Sequence, residues 1–109
     1  VTLASRLLVY LALLAAVGCS SADVRVEVSN DSKQAVKEIR VSTDTGPSLL
    51  FAGLLPGEHT NLPVKVKGEA GLTVEAVMAD GTTLKNSTYV EGGYQVSCRI
   101  EKAAIRLEI

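Results

Sequence analysis

The chain has 109 residues, of which 47% are hydrophobic and 4% aromatic, and its formal net charge is −1. That length holds one small domain and no more. Charges of both signs are interspersed, which excludes the basic stripe that a nucleic-acid partner would demand.

Arg6 is the only charged side chain before Asp23, and Leu7 to Gly18 carries no charge at all. A charged start followed by an apolar run is the layout of an export signal. Crossing ~30 Å of hydrocarbon takes about 20 apolar residues, so the run is too short for a comfortable membrane span. It closes on Ala16-Val17-Gly18-Cys19. That tetrad resembles the lipobox of bacterial lipoproteins. The resemblance implies cleavage before Cys19, diacylglycerol on its thiol and an acyl chain such as palmitate on the new amine. Ser20 stands where an Asp would retain such a protein at the inner membrane. The resemblance therefore implies an outer-membrane address, with the domain facing the periplasm. Two or three lipid chains hold lastingly where one holds only reversibly. Residues 1–18 are thus expected to be a signal peptide and 19–23 a lipidated Cys with its linker, leaving 24–109 as the domain. Ser20 to Asp23 reaches at most about 14 Å when extended, which keeps the domain at the membrane surface.

From Val24 onward the hydrophobic period is two rather than 3.6. Val24, Val26 and Val28 alternate with Arg25, Glu27 and Ser29, and Asn30-Asp31-Ser32 supplies turn chemistry. Ile39, Val41 and Thr43 mark a second strand. Leu49 to Leu55 is apolar on both phases, and Leu55-Pro56-Gly57-Glu58 turns the chain. Leu62, Val64 and Val66 form the next row, where Pro63 marks a strand start or a sheet edge. Leu72 to Met78 leads into Asp80-Gly81, the strongest hairpin signal in the sequence and an expected type I′ turn. A strand over Thr82 to Val90 follows. Tyr94, Val96, Cys98 and Ile100 make an inward row, and Ile105, Leu107 and Ile109 make a final one.

Seven or eight short strands without helical period predict one small antiparallel β-sandwich. Gly92-x-Tyr94-x-Val96 resembles the tyrosine corner of immunoglobulin-like domains. An immunoglobulin-like or a transthyretin-like sandwich is expected.

Chemistry is sparse. His59 is the only histidine and has no Cys, His or acidic neighbour at ligand spacing, so no metal site is expected. Cys98 and His59 would make a nucleophile pair on paper. The phase of Cys98 with Val96 and Ile100 instead predicts a buried structural thiol. With Cys19 lipidated, Cys98 has no disulfide partner. No nucleophile elbow, phosphate loop or dinucleotide fingerprint occurs, so neither catalysis nor a cofactor is expected. Asn30-Asp31-Ser32 and Asn86-Ser87-Thr88 match the glycosylation triplet, which a bacterial lipoprotein would usually leave bare. Leu49 to Leu55 places Leu49, Phe51, Gly53 and Leu55 on one face, and Leu50, Ala52 and Leu54 on the other. Either the second face is covered by the rest of the domain, or Leu50 and Leu54 form an exposed strip that receives a protein partner. The expected role is a membrane-anchored binding or assembly module of the cell envelope. The alternatives are an envelope inhibitor of a lysozyme or protease, and an outer-membrane docking lipoprotein of a secretion system. The last resembles the transthyretin-like lipoproteins of type VI systems in layout.

Overall fold

The computed structural model describes residues 23–109. The proposed leader, Cys19 and Ser20 lie outside the described residues. Eight strands follow one another with no helix between them: β1 (Asp23–Asn30), β2 (Val36–Thr43), β3 (Leu49–Leu54), β4 (His59–Lys65), β5 (Glu69–Met78), β6 (Thr83–Glu91), β7 (Gln95–Ile100) and β8 (Ile105–Glu108). They form two four-stranded sheets, ordered β4-β1-β7-β8 and β3-β2-β5-β6.

The alternating rows meet between the sheets. Val24, Val26 and Val28 from β1 and Val96, Cys98 and Ile100 from β7 face Ile39 and Val41 from β2 and Leu72, Val74, Ala76 and Met78 from β5, all buried. Burying one such side chain contributes about 1.5–3 kcal/mol, and the arrangement is the double layer of a β-sandwich. Among the described residues the buried core runs from Val24 to Ile105.

In immunoglobulin constant-type domains the first two strands share a sheet. Here β1 and β2 lie in opposite sheets. One pair also departs from the antiparallel expectation: β1 runs parallel to β7 from Arg25↔Gln95 to Asn30↔Ile100, while β4 flanks its other side antiparallel. β1 is therefore a central strand bonded on both sides. The strand directions sort the loops into two ends. The turns at 44–48, 66–68 and 92–94 gather where β1 begins, and Gly93 N–H donates to Asp23 O at 3.1 Å there. The turns at 31–35, 55–58, 79–82 and 101–104 gather at the opposite end.

Asn30 holds that far end together. Fully buried, its Nδ2 donates to Gln34 O at 2.9 Å and to Leu54 O at 3.0 Å. Its Oδ1 accepts from Ser32 N–H at 3.0 Å and from Ser32 Oγ at 2.6 Å. The amide thus links β1, the 31–35 loop and the end of β3, and both of its donors are used.

Two local expectations need correction. A type I′ turn at 80–81 requires positive φ at both central residues, but no residue other than glycine has positive φ among those described. Gly81 N–H bonds to Met78 O at 2.9 Å and Met78 N–H to Thr82 O at 2.8 Å. This is a three-residue loop in which Gly81, at φ 89°, takes the left-handed position of a bulge. The Asp80 carboxylate favours it by accepting Thr82 N–H at 2.9 Å.

The second correction concerns the phase of β2 and β3. The β2–β5 register shifts between Val36 and Glu38, so Val36 and Ile39 both point inward although three residues apart. Gly53 lies across from this irregularity and has φ 83°. It shifts β3 in the same sense, and Leu54, paired with Val36, is turned into the core.

Candidate contact surfaces

Leu50 and Leu54 do not share a face. Leu50 is 59% exposed on the outside of the β3-β2-β5-β6 sheet, whereas Leu54 is only 3% exposed. Strict alternation would have kept them together; the phase shift at Gly53 separates them. Leu54 is thereby corrected from a contact residue to a core residue. Leu50 is not part of a continuous apolar strip either. Its cross-strand partner is Arg40, and that of Ala52 is Glu38. Those two charged groups pair with each other at 3.4 Å.

Cys98 and His59 are also accounted for. Cys98 is buried in the core row, and burial pushes its thiol up to about 12. Such a thiol is not a nucleophile at neutral pH. His59 opens β4 in an exposed position, on the outer side of the sheet. Tyr94 packs half-buried against the core just before β7.

A concavity of about 740 Å³ lies on the outer face of the other sheet. It is lined by Arg25, Glu27, Asn61, Gln95, Ser97 and Glu108, together with apolar groups such as Pro63 and Ile109. The register explains why these groups converge. Asn61, Glu27, Ser97 and Glu108 form one row across all four strands, and Arg25 and Gln95 form the next beside Pro63. The half-buried Ser97 thus stands between two carboxylates. The row offers acceptors from Glu27 and Glu108 and donors from Asn61, Gln95, Ser97 and Arg25, which suits hydrogen bonding to a polar surface. Each of these residues reads in the sequence as an ordinary solvated strand position. Only the order β4-β1-β7-β8 puts them side by side, and that order joins strands far apart in the chain.

The class of protein that the fold defines is an all-β sandwich of two four-stranded sheets. No protein-family model and no curated protein matches the chain. Among solved structures, an NMR structure of a protein from Eubacterium rectale is similar to it. The two agree with a TM-score of 0.61 over 84% of this chain and 90% of that one, at 18% sequence identity. That likeness concerns the fold alone.

Proposed function

We propose that this chain is a lipid-anchored protein of the bacterial cell envelope that works as a non-catalytic binding or assembly module. The observation that carries the proposal is Ala16-Val17-Gly18-Cys19, placed after an uncharged run. Its support is the start of β1 at Asp23, only a short linker beyond Cys19. An acylated Cys19 would hold the sandwich against the membrane by the end carrying the 44–48, 66–68 and 92–94 turns. Ser20 directs it to the outer membrane, facing the periplasm. Protein extracted from membranes should have the mass of residues 19–109 plus diacylglycerol and one acyl chain, and Cys19→Ala should leave the leader uncut. A mass equal to the bare 19–109 peptide, or to the uncut chain, refutes the proposal.

The contact surface in this reading is the polar concavity around Ser97. Its carboxylates favour a partner that presents donors or positive charge. Replacing both Glu27 and Glu108 by Lys should leave the sandwich folded, since both are exposed, and abolish crosslinking to the envelope partner. A doubly substituted protein that keeps its partner rejects this surface. Loss of the partner in Leu50→Glu alone would place the contact on β3 instead.

A further inference from the structure

Each sheet ends in two strands whose outer N–H and C=O groups have no ladder partner, an invitation to pair with another chain. Three of the four edges carry recognisable obstacles. Asn30 N–H bonds to Glu58 O at 2.9 Å, which turns the backbone of Glu58 toward β1. Counting by twos from Glu58, His59, Asn61, Pro63 and Lys65 turn their backbone outward, so Pro63 removes a donor from that free edge. β3 is kinked by Gly53, and β8 is only four residues long. β6 is different. It has nine residues without Pro or Gly, and its register to β5 is unbroken from Glu69↔Glu91 to Val77↔Thr83.

Two backbone bonds fix which β6 groups are free. Met78 N–H to Thr82 O and Gly92 N–H to Gly68 O assign the even-numbered residues to β5. Thr83, Lys85, Ser87, Tyr89 and Glu91 therefore turn their backbone groups outward. At the start of β8, Glu101 N–H bonds to Ala104 O at 2.9 Å. It assigns Ala104, Arg106 and Glu108 to β7 and leaves Ile105 O on the free edge. Asn86 reaches both edges at once. Its Oδ1 accepts Ser87 N–H at 2.8 Å, and its Nδ2 donates to Ile105 O at 2.8 Å.

We propose that Asn86 is an edge guard, an autoinhibitory contact that fills the central donor of the β6 edge and an acceptor of the β8 edge and so keeps β6 from pairing with a second copy of this chain. The second copy is the occupant because β6 complements itself. Antiparallel pairing about a two-fold axis at Thr88 sets Lys85 opposite Glu91 of the second copy and Ser87 opposite its Tyr89, all outward-turned residues. That register matches opposite charges twice. It also gives Glu91 a cation, where its neighbour within the sheet is Glu69. The inference concerns the sandwich and does not depend on the lipid anchor.

The test is sedimentation velocity on residues 23–109 over a wide concentration range, together with hydrogen exchange of the β6 amides. The native sequence should be monomeric, and its Ser87 amide should exchange more slowly than the unguarded amides of Tyr89 and Glu91. Asn86→Ala should form a concentration-dependent dimer. Adding Ser87→Pro, which costs no backbone bond to β5 and only the exposed bond between Ser87 Oγ and Thr73 Oγ1 at 2.9 Å, should return that variant to a monomer. A folded Asn86→Ala protein that stays monomeric overturns the proposal, as does native protein that already dimerises. A dimer that survives Ser87→Pro also overturns it. Should Asn86→Ala fail to fold, the exchange comparison in native protein still decides, since equal rates at Ser87, Tyr89 and Glu91 would show no guard.

Discussion

Replacing Asn30 should expose how much of this small domain depends on one buried amide. Asn30→Ala removes four hydrogen bonds, but their loss is not uniform. Gln34 O finds a new donor in Ser32 Oγ, 2.9 Å away and released from Asn30 Oδ1, whereas Leu54 O and Ser32 N–H lose the partner that Asn30 supplied. Each stranded polar group costs about 1–3 kcal/mol, so the variant should lose about 2–6 kcal/mol. A domain of this size is stable by only about 5–10 kcal/mol. Urea unfolding of residues 23–109, followed by far-UV circular dichroism, should show a lower midpoint with unchanged slope. Asn30→Asp separates the two halves of the network. It keeps the acceptor for Ser32 but aims a buried carboxylate oxygen at the carbonyls of Gln34 and Leu54. Both burial and those carbonyls raise the folded pKa of the new carboxyl above its unfolded value of about 3.9. The sign follows: the penalty relative to the native protein is absent below the unfolded pKa and grows as pH rises through the folded one. At neutral pH Asn30→Asp should be less stable than Asn30→Ala, and acidification should narrow its deficit against the native protein. An Ala variant within about 0.5 kcal/mol of native would refute the reasoning, because that is the range of ordinary surface changes. So would an Asp variant whose deficit ignores pH.

Leu50→Glu should leave the unfolding midpoint nearly unchanged, and Leu54→Glu should prevent folding, since the phase shift at Gly53 exposes the first and buries the second. Circular dichroism of the two variants checks this directly. Burial of Cys98 predicts that iodoacetamide leaves residues 23–109 unmodified at mildly alkaline pH and alkylates them once urea unfolds the sandwich; rapid alkylation of folded protein would contradict the packing. Hydrogen bonds from Thr82 and Gln34 hold the Asp80 carboxyl below its ordinary value. Its contribution to the 79–82 loop is therefore present above the unfolded pKa and lost as pH falls through the lowered folded one. Exchange of the Thr82 amide should accelerate over that acidic range in native protein and show no such step in Asp80→Asn.

The period of two is a local property, and it made the strands and core rows readable. Val24, Val26 and Val28, or Leu72, Val74, Ala76 and Met78, had only one way to bury themselves. Strand order was not local. Nothing near Val26 reveals that it lies beside Val96 rather than beside a residue of β2. The polar concavity was hidden for the same reason, because Asn61, Glu27, Ser97 and Glu108 come from four separate strands. Leu54 shows a subtler failure. Alternation assumes an unbroken pleat, and the irregularity at Lys37 opposite Gly53 breaks it. Gly53 inside an apolar run was the available sign, since a strand glycine often marks a bulge. Asn30 read as a turn residue, but it closes β1, and its partner Leu54 O lies 24 positions away. Its role as a buried link was therefore out of reach of any local pattern.

The position of β1 between an antiparallel and a parallel neighbour has a mechanical consequence. A pull applied at Asp23 along the strand axis, against resistance at the far loops, would slide β1 past β4 and β7 together. The ladder bonds lie across that direction. They would be sheared collectively rather than peeled one at a time, as they would be if an edge strand were pulled sideways. Resistance to such a pull depends on the barrier to unfolding rather than on equilibrium stability. The sandwich is thus strongest along the line joining its first residue to its far loops.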